Sequence, residues 1–146
     1  MNTRYEILPD LYIGYRETLS DKIANQICKT EFVIDADKLF NFVNISKTYN
    51  EGQMKKNIAK YEIDKAVEIL INTAKQINNN VKNNQSSLVI CNLVDQLSPS
   101  VACAYLMIYG KMRLLDAVKI VKSKKQNVFH GGLSLSIALN RIDTRI

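Results

Sequence analysis

The run Leu88-Val89-Ile90-Cys91 ends an apolar stretch in a thiol, and Ser98-Pro99-Ser100 shortly after it has the composition of a helix start. A strand, a short loop and a helix N-terminus in that order place a cysteine where backbone N–H groups and the helix dipole converge, which favours a thiolate and a phosphate at the same spot. The chemistry implied is nucleophilic attack on phosphorus by Cys91. The segment Asn92-Leu93-Val94-Asp95-Gln96-Leu97-Ser98 would then be the loop that cradles the phosphate. The competing reading makes Cys91 a small apolar residue closing a core strand. Cys28 and Cys103 fall on helical apolar faces where packing is the default, and His130 before Gly131-Gly132 reads as a turn residue. The three cysteines have no metal-ligand spacing, and no metal or cofactor is expected.

Several elements must hold that segment in place. Tyr5 to Gly14 reads as a short extended segment interrupted at Pro9. Ser20 and Asp21 offer caps for a helix with Ile23 and Ile27 on one face. Phe32-Val33-Ile34-Asp35 and Phe40 to Ile45 are rich in β-branched and aromatic residues and are expected as strands. From about Met54 to Ile77 the residues Ile63, Ala66, Val67, Leu70, Ala74 and Ile77 recur at helical spacing. The tract Asn78 to Ser87 carries too little apolar content to pack and is expected as an exposed loop. Leu88 to Cys91 has the pattern of a strand buried on both faces. Helices are expected after Ser98, around Asp116 with Leu115, Val118, Ile120 and Val121, and from Leu133 to Leu139. This order of strands, long helix, central strand and terminal helices implies an α/β sandwich.

At 146 residues and 47% hydrophobic content the chain suits one domain, residues 1–146. Twenty Lys and Arg against fourteen Asp and Glu give a net charge of +6, which favours acidic partners, although a plainly basic surface gives the same number. The cluster Lys111, Arg113, Lys119, Lys122, Lys124 and Lys125 is the candidate surface for such a partner. With no signal-peptide pattern, an odd cysteine count and no apolar run of the ~20 residues a membrane span needs, a reducing intracellular compartment, cytoplasmic or nuclear, is expected, and no membrane.

Four segments resemble a dual-specificity phosphatase domain, the small form of the protein tyrosine phosphatase fold. They are Leu8 to Gly14, similar to that family's opening strand; Leu88 to Cys91, its strand into the nucleophile; Ser98 to Met107, its helix with the AYLM signature; and Met112 to Lys124, its next helix. The resemblance implies a central mixed sheet of four to five strands flanked by helices. It also implies a phosphate loop of the form HCxxGxxR followed by Ser or Thr. Laid over this chain, the Cys falls on Cys91 and the hydroxyl residue on Ser98, but the His falls on Ile90, the Gly on Val94 and the Arg on Leu97.

The losses differ in physical weight. An arginine grips two phosphate oxygens and neutralises charge developing in the transition state, and leucine does neither. Loss of one such donor costs roughly 10²–10³ in rate. Val94 is β-branched and resists the positive φ that a glycine would take. Asp95 repels a phosphate dianion and raises the Cys91 pKa. In the loop Ser46 to Gly52, where the family places a general acid, the only acid is Glu51, for which a solvated loop carboxylate is the simpler account. The expected function is therefore a catalytically inactive, dual-specificity-phosphatase-like protein, a pseudophosphatase that binds or scaffolds a protein partner, either a phosphoprotein or another acidic surface. Nucleic acid is not expected. The alternatives are a divergent active protein phosphatase using Cys91, and a structural subunit of a larger assembly.

Overall fold

The structure, a computed structural model, describes residues 4–15, 32–41, 60–91, 96–129 and 135–145. The expected helix at Ser20 to Cys28, positions 42–45 of the expected second strand and the first turn of the long helix at 54–59 lie outside the described residues.

Residues 5–14 form a hairpin rather than one interrupted segment: β1 (Arg4–Leu8) turns into β2 (Leu11–Tyr15) with Leu8 opposite Leu11. Proline fixes its own φ near the value a turn needs, and Asp10 takes φ 71°, the pairing found in a type II turn. Pro9 is thus the corner of the hairpin. The Asp10 carbonyl accepts the Ser87 N–H at 2.9 Å and its carboxylate accepts the Ser86 hydroxyl at 3.0 Å, which fixes the hairpin to the strand that carries Cys91.

The described sheet has four strands in the order β1-β2-β4-β3, where β3 is Phe32–Asp35 and β4 is Ser87–Cys91. β4 runs parallel to both neighbours and β1 is antiparallel to β2, so the sheet is mixed as expected. All five β4 residues are buried, which explains the unbroken apolar run of its last four, Leu88 to Cys91. After β3 the chain does not go straight to another strand. Asp35 caps a short helix α1 (Ala36–Leu39), accepting the Lys38 N–H at 3.3 Å, and Phe40 closes it as a buried core residue.

The long helix α2 (Lys60–Lys82) presents Ala66, Val67, Leu70, Ala74 and Ile77 to the core as the periodicity predicts, but it runs five residues beyond Ile77. The asparagine tract does not end it, because Asn80 is buried and satisfied: its amide donates to the Ser87 hydroxyl at 2.9 Å and accepts from Gln76 at 2.9 Å. The helix ends at Lys82 and the chain leaves it through a Schellman motif, with Asn84 at φ 58° donating to the Val81 carbonyl and Gln85 donating to that of Asn80.

After β4, helix α3 (Leu97–Tyr109) is apolar nearly all round, and ten of its thirteen residues are buried. Such a helix needs cover on every side, and α2, α4 (Leu114–Lys124), α5 (Ser136–Asp143) and the sheet supply it. In α4 the buried residues are Leu114, Ala117 and Val121, while Leu115, one of the apolar residues by which the sequence marks this helix, is 67% exposed. The last helix begins at Ser136 and extends to Asp143, beyond the expected end at Leu139.

Candidate functional site

Cys91 is the last residue of β4 and its side chain is fully buried. The chain returns to it at the first turn of α3. The Ser98 hydroxyl donates to the Cys91 sulfur at 3.0 Å and the Ser98 backbone N–H donates at 3.4 Å. The two residues that the sequence comparison aligned with the phosphatase signature are therefore in contact. Both donors favour a thiolate, as does the Leu97 backbone N–H, but burial outweighs them and the thiol is pushed up from 9.0 to about 11. The Asp37 carboxylate adds to the rise. At neutral pH Cys91 is a protonated core residue.

Between the strand end and the helix start, Asn92, Leu93, Val94 and Asp95 lie outside the described residues, as do Glu51 and its loop, Cys28, and His130 with the two glycines after it. Gln96 is buried just before α3, and its carbonyl accepts the Ser100 N–H at 3.1 Å and the Ser100 hydroxyl at 2.7 Å. Leu97, at the position where the signature has arginine, is 3% exposed and belongs to the main hydrophobic core with Cys91, Val101 and Ala102. The side chain there is an apolar anchor for the start of α3.

Asp37 was not singled out from the sequence. It reaches the neighbourhood of Cys91 because α1 packs against both β4 and α3. The sequence signal for it was the strand-then-aspartate pattern at Ile34-Asp35, which marks a helix cap. Among the described residues Asp37 is thus a charge that raises the Cys91 pKa, while Asp95, to which the sequence pointed, lies outside them.

The basic set separates into two groups. Arg113 is committed: its Nε and one Nη donate to Asp143 at 2.9 and 2.8 Å. Lys125 is buried, with its ammonium 5.6 Å from the Tyr5 ring centroid. Lys111, Lys119, Lys122 and Lys124 are exposed. Cys103 is buried in α3 and its thiol is pushed up to about 12 by burial, consistent with packing. Among the described residues, no group of three or more His, Cys, Asp and Glu could hold a metal ion, and no helix is long and apolar enough to cross a membrane.

With its mixed sheet, and a central strand that delivers a cysteine to the N-terminus of a buried helix, the chain has the fold of solved dual-specificity phosphatases. A mouse putative dual specificity phosphatase complexed with zinc tungstate superposes with a TM-score of 0.72 at 16% identity, over 99% of this chain and 89% of its own. Human DUSP28 gives 0.69 at 15%, over 97% and 93%. The human tyrosine phosphatase-like serine/threonine/tyrosine-interacting protein gives 0.67 at 16%, over 99% and 98%. No protein-family profile matches the sequence, and no curated protein matches it.

Proposed function

We propose that this protein is a pseudophosphatase: it keeps the dual-specificity phosphatase fold as a protein-binding or scaffolding module in a reducing cytoplasmic or nuclear compartment, without phosphatase chemistry. The observation that carries this reading is the pair at the old catalytic position. Leu97 occupies the arginine site as a core residue, beside a Cys91 thiol held near pKa 11. A phosphatase needs the thiolate as nucleophile and a guanidinium on the phosphoryl oxygens, and these two residues supply neither. The fold likeness to a tyrosine phosphatase-like protein named as serine/threonine/tyrosine-interacting supports a binding role. An active phosphatase using Cys91 is favoured by one feature, the two Ser98 donors that still address the sulfur. Hydrolysis of a small aryl phosphate under vanadate titration separates the readings. The protein should show no turnover above a Cys91→Ser control, and vanadate-sensitive turnover lost in Cys91→Ser would establish the active enzyme instead.

A further inference from the structure

Two of the four large apolar side chains standing exposed among the described residues, Tyr109 and Leu115, flank the corner between α3 and α4. Tyr109 stacks on Tyr105 with ring centroids 5.6 Å apart, which gives it a rigid, half-covered face. Gly110 follows, and a Cβ there would lie 2.4 Å from the Leu106 carbonyl and 3.2 Å from the Met112 methyl, so Met112 folds closely against the end of α3. Leu115 then projects from the first turn of α4 at 67% exposure. Aromatic residues and methionine are enriched at protein interfaces, and a leucine exposed to this degree beside them makes an anchor. The rim is predominantly cationic, with Asp116 as its one acid on α4's first turn. Lys119 and Lys122 lie four and seven residues beyond Leu115 on the same helical face, and Lys111 precedes it. The groove along α2, by contrast, mixes Asp64 and Glu68 with Arg145, and Arg141 pairs with Asp64, so its charges offset each other.

We infer that the α3–α4 corner is a docking surface for an acidic amphipathic segment of a partner protein, with Tyr109 and Leu115 taking its apolar side chains and Lys119 and Lys122 its carboxylates. The inference rests on the protein-binding reading above and names its surface. Charge complementarity selects the partner. Two exposed side chains give too little apolar area for a membrane-inserted helix. Arginine, the residue best suited to nucleic-acid phosphates, is here tied to Asp143.

The test uses the full chain and a fluorescein-labelled synthetic helix of glutamates with leucines every third or fourth residue, read by fluorescence anisotropy. Saturable binding should weaken about tenfold or more in Lys119→Glu/Lys122→Glu and in Leu115→Ser, which are surface changes, and stay unchanged in Lys75→Glu on α2. Absence of binding would overturn the proposal. So would equal weakening by Lys75→Glu, which would mark a net-charge effect, or capture of phosphatidylserine vesicles or polyuridine in place of the peptide. Aryl phosphate turnover is read separately. A missing peptide interaction without turnover removes this surface alone, whereas turnover with intact peptide binding removes the claim of catalytic silence alone.

Discussion

The pseudophosphatase reading turns, at the residue scale, on where two side chains are buried. Cys91 keeps its hydrogen-bond donors from Ser98, yet a thiol shielded from water must lose its proton without solvation of the anion, and two hydrogen bonds do not compensate for that. Leu97 makes the reversal hard to undo. At 3% exposure its side chain is part of the core, so a guanidinium placed there enters the interior without a partner. Leu97→Arg should therefore destabilise the fold, by roughly 3–5 kcal/mol if the charge stays buried and unpaired, and restore no turnover. A thermal melt together with the aryl phosphate assay checks both halves. Turnover in that variant would mean that the side chain at 97 swings out to a phosphate.

At the scale of elements, the helix ends carry most of what the sequence left hidden. The tract Asn78 to Ser87 looks polar enough to be a loop because composition does not reveal that Asn80 will find the Ser87 hydroxyl across the fold. The stop signal, Asn84 in the left-handed region, was present in the sequence but is one asparagine among several. In α4 the adjacent Leu114 and Leu115 allow two helical registers, and tertiary contact with the core chooses Leu114. The choice is pinned from outside the helix. Asp143 of α5 accepts the Leu114 N–H at 2.8 Å and both donors of Arg113, so a residue distant in sequence satisfies the start of α4. These bonds, first that from Arg113, hold the Asp143 carboxyl down from 3.8 to about 2. A depressed carboxylate stabilises the folded state above its unfolded pKa. The Asp143 contribution should accordingly be intact above about pH 4 and be lost as pH falls through about 2. Asp143→Ala should cost about 1 kcal/mol near neutrality through loss of the cap. Denaturant midpoints of the two proteins, compared at neutral pH and at about pH 2, should differ in the first condition and converge in the second. A constant difference across that range would detach Asp143 from the effect.

At the scale of the molecule, the α/β order, the buried central strand and the helix after Cys91 were legible in the sequence because each rests on a local pattern, an unbroken apolar run, a helical period or a proline in a first turn, whereas the mixed sheet was expected only from the family resemblance. The environment of Cys91 was only partly so. Leucine in place of the signature's arginine could be read directly at position 97, but Asp37 lies in α1 more than fifty residues upstream, and only the packing of α1 on β4 and α3 brings its charge to bear. Burial of the thiol is likewise a product of the whole fold, since the sheet and α3 enclose it together. A thiol whose folded pKa is raised contributes stability that is intact below about pH 9 and is lost as pH rises through about 11. The same burial fixes its reactivity, which makes the pH profile of Cys91 alkylation by iodoacetamide, followed site by site with mass spectrometry, the most direct measurement of the central claim. The account predicts negligible labelling of Cys91 in the folded protein at neutral pH, with modification rising only toward about pH 11 or on unfolding by denaturant. Rapid labelling with an inflection at or below neutral pH would reveal an accessible thiolate, and the loss of phosphatase chemistry proposed for this fold would not stand.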